Sequence, residues 1–194
     1  MAVKTVSPLA PKGGFPKLPR IAGAEFAAVE AGVRYANRTD VMLVRLAPGT
    51  TVAGAFTRSS TRAACVLDCQ GKLAGKPDSA SGAAIIVNSG NSNAFTGKVG
   101  VASVEAVTGA VAKALGLPAA RVFSSSTGVI GEPMPHDRIV AKLPDLTAAL
   151  DEGALEMAAR ASMVPLMPPA EAPAMMSTTV RSSMLRPMSR SSSK

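Results

Sequence analysis

The chain has no tryptophan, one tyrosine, one histidine and two cysteines in 194 residues, and aromatic residues make up only 3% of it. Each scarcity excludes something. So few rings provide no platform on which nucleobases could stack. His136, Cys65 and Cys69 are a poor set for zinc, which takes four ligands in its structural sites, and no metal site is expected. Cys65 and Cys69 flank the apolar pair Val66-Leu67 and read as reduced, buried side chains, with a disulfide or metal pair as the alternative. No apolar run approaches the ~20 residues that cross a bilayer. Pro8, Pro11, Pro16 and Pro19 stand where a signal peptide needs an apolar stretch and a transit peptide an amphipathic helix. Cytosol is the expected compartment, with no membrane partner.

Familiar catalytic signatures are missing as well. The segment from Gly90 to Lys98 spaces its glycines seven apart and continues with Val99, so it is not a phosphate-binding loop of the Walker type. There is no Gly-x-Ser-x-Gly elbow. Asp137 follows His136 directly, which sends the two side chains apart, and His136 reads as a surface residue at a helix start.

What is present is a folding sequence. Apolar residues reach 47%, and with few rings the core must be built from Val, Ile, Leu, Met and Ala. The formal charge of +8 lies mostly outside the central segment. Lys4, Lys12, Lys17 and Arg20 are unopposed by acids in residues 1–20. Beyond Met163, Arg181, Arg186, Arg190 and Lys194 face only Glu171. The segment between is close to neutral, so it offers few phosphate contacts, and no nucleic-acid partner is expected.

Three regions follow: an extended Pro-rich arm (1–20), an α/β domain (21–163) and a Met/Pro/Ser-rich tail (164–194) expected to lack order. Within the domain, Val41–Leu46 reads as a strand closed by Pro48-Gly49, and Thr51–Phe56 as the next strand. Thr61–Val66 fits a strand or a short helix. Ala83–Val87 is a continuous apolar run, as in a strand buried on both faces. It enters a polar loop, Asn88 to Gly97. Val101, Val104, Val107, Val111 and Leu115 recur at helical spacing and stop at Gly116-Leu117-Pro118. Arg121-Val122-Phe123 restarts as a strand and opens into a second loop, Ser124 to Gly131. A helix starts near His136 and ends at Pro144, and a last one covers about 154–161. The fold class is α/β, with mixed sheets and packed helices. If the two central strands are parallel neighbours, both loops emerge at one carboxyl edge, where open α/β sheets collect ligands.

Thr127-Gly128 is the leading catalytic candidate. A hydroxyl and an amide N–H, with no Cβ to bar close approach, can together hold a developing oxyanion; an ordinary strand-to-helix turn is the alternative. Asn88, Gly90, Asn91 and Asn93 offer many donors and acceptors within six residues. They either shape a polar pocket, brace the second loop, or form a plain polar turn.

Asn88-Ser89-Gly90-Asn91-Ser92-Asn93-Ala94-Phe95-Thr96-Gly97 and Ser126-Thr127-Gly128-Val129-Ile130-Gly131-Glu132-Pro133 resemble the signature blocks of the bifunctional ornithine acetyltransferase/N-acetylglutamate synthase (glutamate N-acetyltransferase) family. Leu18–Gly23, Arg38-Thr39-Asp40 and Val52–Thr57 agree with it, and the resemblance runs from about Phe15 to Met163. It implies the fold of that family's α chain and acetyl transfer from N-acetylornithine to glutamate in arginine biosynthesis, with acetyl-CoA a co-substrate in some members and no cofactor. It also implies a self-cleaving precursor and a β chain whose N-terminal Thr carries the acetyl group, hence a hetero-oligomer. Thr127 and Gly128 match the family's oxyanion-hole pair. After Ala158-Ala159-Arg160-Ala161 and Ser162-Met163 the resemblance stops. The family's Met-Thr-Thr-Asp-Thr block and its nucleophile block are not found, which is the pattern of a shifted frame or truncation. The chain is therefore expected to supply an oxyanion hole without a nucleophile; the alternative is a non-catalytic module that assembles with a β chain.

Overall fold

The computed structural model describes residues 17–162. Four strands lie in the spatial order of their sequence: β1 (Ala24–Val29), β2 (Val41–Leu46), β3 (Ala83–Asn91) and β4 (Val122–Val129). β2 runs antiparallel to both β1 and β3, whereas β3 and β4 are parallel. The parallel pair requires a long crossover, which is α2 (Gly97–Leu115) followed by a 3₁₀ turn at Ala119–Arg121. The α/β class with a mixed sheet is thus observed.

Helices cover both faces of the sheet. On one, Leu43, Ala84, Ile86 and Val122 pack with Val107 and Val111 of α2, Ile139 of α3 (His136–Ala141) and Leu143 and Leu146 of α4 (Leu143–Ala148). On the other, Phe26 and Val44 meet Ala158 of α5 (Leu155–Ser162), while Ala83 and Phe123 meet Cys69 of α1 (Ala64–Ala74). Ala83–Val87 therefore lies between layers, as its unbroken apolar run requires. The strand of the expected loop–helix–strand unit that follows is β4, also as expected.

Several sequence expectations need correction. Thr51–Phe56 forms no strand; Val52 and Phe56 pack against the Cys69–Phe123 cluster instead, and no described strand is paired with them. β1 was not anticipated. Thr61–Val66 resolves as the entry to a helix, α1. Both polar loops begin later than expected, because β3 continues to Asn91 and β4 to Val129. Pro144 does not end the His136 helix: α3 stops at Ala141, and Pro144 lies in the first turn of α4, where a missing N–H and a fixed φ are harmless. Val101 is 44% exposed. The packing stripe of α2 passes through Gly100, Ser103, Val104, Val107 and Val111, and Val101 lies to one side of it. The expected arm is described only from Lys17, in irregular backbone to Arg20, and the expected tail lies outside the described residues. No described helix is long and apolar enough to cross a membrane.

Candidate oxyanion site

The parallel register places Asn88 opposite Ser126, Ser89 opposite Thr127 and Gly90 opposite Gly128. The two candidate segments thus form one continuous surface at the carboxyl ends of adjacent strands. A bulge at Gly90/Asn91 follows. Gly90 and Gly128 have φ of 108° and 134°, and a Cβ on Gly128 would lie 2.3 Å from the Gly90 carbonyl carbon. Only glycine allows the two backbones this approach.

β4 is the sheet's last strand among the described residues. α1 runs beside it and lends side-chain donors to its outer edge: Lys72 Nζ donates to the Val122 carbonyl (2.8 Å) and the Cys69 thiol to that of Ser124 (3.3 Å). Backbone polar groups alternate sides along a strand. Ser126 and Gly128 therefore face that same outer edge, while Thr127 and Val129 face β3. The Val129 carbonyl agrees, accepting from Ser92 N (2.9 Å) on the β3 side. The Thr127 side chain is exposed.

The asparagines are braces. Asn88, Asn91 and Asn93 are all buried. Asn88 Oδ1 accepts from Ser126 Oγ (2.7 Å) and its Nδ2 donates to the Asn91 carbonyl (2.9 Å), closing the bulge. Asn91 Nδ2 donates to the Glu132 carbonyl (3.0 Å), and its Oδ1 accepts from Asn93 N (2.7 Å). Asn93 Nδ2 donates to the Gly100 carbonyl (3.0 Å) and Oδ1 accepts from Thr96 Oγ1 (2.8 Å). Of the readings open in the sequence, the geometry favours bracing. Their polar groups are spent on holding β3, the start of α2 and the 130–133 turn together.

Residues 25–184 match the ArgJ family. A protein of Ruegeria pomeroyi named arginine biosynthesis bifunctional protein ArgJ is 64% identical over 161 residues, covering 83% of this chain and 39% of its own length. Its namesake in Gluconobacter oxydans is 45% identical over 158 residues, covering 81% of this chain and 36% of its own. Among solved structures, ornithine acetyltransferase from Mycobacterium tuberculosis, crystallised with ornithine, superposes with a TM-score of 0.68 at 34% identity, over 74% of this chain and 76% of that one. The chain belongs to the ArgJ family. It spans less than two fifths of the length of these curated relatives.

In this ArgJ-family chain the loop between β1 and β2 folds over the same strand ends. The buried Asp40 carboxylate accepts from Ala31 N (2.7 Å) and Val33 N (2.6 Å), which shapes the loop. Arg38 Nη2 donates to Ser89 Oγ (2.5 Å), and Ser89 Oγ donates to the Ala161 carbonyl of α5 (2.8 Å). Arg34 pairs with Glu132, and both Arg34 and Arg38 lie over Tyr35, at 5.7 and 5.8 Å from its ring centre. The Glu132 carboxylate also holds the Arg34 guanidinium pKa above its usual value, chiefly through their hydrogen bond. Pattern reading linked Arg38-Thr39-Asp40 to the family but did not reveal that this loop reaches the candidate site. The one local signal was two acids, Glu30 and Asp40, and two arginines in a Gly-containing turn.

The remaining titratable candidates lie elsewhere. Cys65 and Cys69 are free and buried, and burial pushes the Cys69 thiol pKa up, which disfavours the thiolate. His136 is half-buried rather than on the surface. Its Nδ1 lies 3.1 Å from Ser103 Oγ. The same hydroxyl lies 3.0 Å from the Val99 carbonyl. Among the described residues no cluster of three or more His, Cys, Asp or Glu could hold a metal.

Proposed function

We propose that the chain provides the oxyanion-stabilising part of an acetyl-transfer centre, acting on N-acetylornithine and glutamate in arginine biosynthesis. The observation that carries this reading is the position of Thr127 and Gly128. A solvent-exposed hydroxyl and an outward-facing amide occupy consecutive residues at a strand edge to which no described strand is paired. Gly128, lacking a Cβ, lets β4 lie against the Gly90 backbone at this point. In acyl transfer the carbonyl oxygen gains negative charge as the tetrahedral intermediate forms. A preorganised donor there is worth about 3–4 kcal/mol of barrier, roughly two to three powers of ten in rate. The asparagine braces serve that function, because donors already fixed need no reorganisation during the reaction.

The acyl-accepting threonine, in this reading, comes from a complementary β chain, so the active species is a hetero-oligomer. The name of the M. tuberculosis enzyme and the ornithine bound to it support the substrate class, and acetyl-CoA is a second acetyl donor to be tried. The cytosol is the compartment that fits this chemistry.

Transfer of labelled acetyl from N-acetylornithine to glutamate tests the proposal. The 194-residue chain is assayed alone and after co-expression with the C-terminal part of the R. pomeroyi relative. Turnover only in the mixture, with Thr127→Val lowering kcat at least thirtyfold while KM changes little, is the expected outcome. Full activity in the Thr127→Val mixture refutes the oxyanion role. Turnover by the chain alone refutes the two-chain requirement.

A further inference from the structure

We infer that a single ordered water is held between β4 and α2, bridging the Ser124 and Ser126 hydroxyls. A small cavity of about 10 Å³ lies there, about what the centre of one water molecule needs and too little for a larger ligand. Ile86, Val107 and Ile139 are among its apolar walls, and Ser124, Ser126 and Asn88 supply polar ones. The strand register explains this grouping. Ser124 stands opposite Ile86 and Ser126 opposite Asn88 in the parallel pair. Alternate residues of a strand share a face, so all four turn toward the layer that contains α2.

The Ser124 hydroxyl is what calls for the water. Its Oγ is buried and makes no hydrogen bond with any described residue. A hydroxyl in that state has lost its hydration without compensation, and an apolar side chain would suit these walls better. Purely apolar cavities stay dry, whereas one with several polar groups on its lining takes up a water that bonds to about three of them.

Partners for it are in place. Ser126 Oγ gives its hydrogen to Asn88 Oδ1 (2.7 Å), which leaves its lone pairs to accept one from the water. Ser124 Oγ can donate as well as accept. Same-face neighbours on a strand stand roughly 7 Å apart at their Cα atoms, too far for the two hydroxyls to meet. Two hydrogen bonds of about 2.8 Å through one water span that gap. Asn88 Nδ2 spends one hydrogen on the Asn91 carbonyl (2.9 Å) and carries a second. With the water, one chain of hydrogen bonds runs from Ser124 through Ser126 and Asn88 to Asn91, along the strand ends that carry Gly90 and Gly128. This water site is independent of the reaction at Thr127-Gly128.

A crystal structure of the 194-residue chain, at a resolution that shows ordered water, tests this directly. One solvent peak within about 3.2 Å of both Ser124 Oγ and Ser126 Oγ is expected. No peak there, or a peak on only one of the two hydroxyls, overturns the bridge. Thermal unfolding gives a second readout, with Ser125→Ala as the control. Ser125 points to the other face of the same strand and is exposed, so its variant carries the loss of strand preference alone. Ser124→Ala also takes a partner from the water and should melt roughly 2–4 °C below that control. A Ser124→Ala melting temperature equal to or above the control overturns the water site, because deleting an unpaired buried hydroxyl is neutral or stabilising.

Discussion

Gly128→Ala separates two costs that are usually confounded. The φ of 134° is a strained backbone for any residue with a Cβ, worth about 1–3 kcal/mol. Space is a separate matter. The new methyl would lie 2.3, 2.5 and 2.6 Å from the Gly90 carbonyl carbon, its oxygen and Asn91 N. All three are backbone atoms in a paired strand, so relief requires β3 and β4 to move apart, and overpacking of this kind adds about 1–3 kcal/mol. Gly131→Ala is the control. It has φ of 82°, also left-handed, but nothing lies within 4 Å of its Cβ position, so it carries the backbone cost alone. Urea and thermal unfolding of both variants of the 194-residue chain, followed by far-UV circular dichroism, should show Gly128→Ala less stable by about 2 kcal/mol more than Gly131→Ala. For a body of this size that is roughly 4–8 °C in Tm. Equal losses would refute the close approach of the two strands, and with it the geometry assigned to the site.

Asn91→Ala strips partners from the buried Asn93 N and from the part-buried Glu132 carbonyl; a loss of about 2–4 kcal/mol is expected by urea unfolding. In the native chain neither Cys65 nor Cys69 should react with a disulfide reagent at pH 8, and both should react once the chain is unfolded, because both are buried and burial keeps the Cys69 thiol protonated. Glu25 faces Arg45 across β1 and β2, and the hydrogen bond to Arg45 lowers its pKa below the ordinary 4.5. The pair's contribution is therefore complete above that value and disappears as pH falls through the lower folded value. Both side chains are partly exposed, so it amounts to at most about 1 kcal/mol, and Glu25→Gln should flatten stability versus pH in that acid window alone.

The parts of the fold legible in the sequence are those with a strong local period. Ala83–Val87 reads as a buried strand because both of its faces are apolar, and Val104, Val107 and Val111 read as a helix stripe because they recur at 3.6. Asn88–Asn91 and Ser124–Val129 read as loops because Asn, Gly and Ser have little strand preference. They become strand because each is paired to the other, and the Ser126–Asn88 hydrogen bond ties one to the other. Thr51–Phe56 fails in the opposite way: its pattern suits a strand, but no described strand pairs with it. Thr127 and Gly128 could be named from their chemistry and from the family blocks. That the nearby asparagines brace the two segments through buried hydrogen bonds could not, since burial belongs to the whole packed site.

The order of residues by itself determined the strand–loop–helix–strand order, the family, and the two polar segments that follow the strands, because these depend on local composition and spacing; that the strands are parallel neighbours is a result of the fold. Only the tertiary structure decided which backbone groups at that edge meet a described neighbour. An amide is free or spent according to what lies beside it. Here α1 reaches the Val122 and Ser124 carbonyls, while the Gly128 amide, two residues further along the same outer edge, is paired to no described strand.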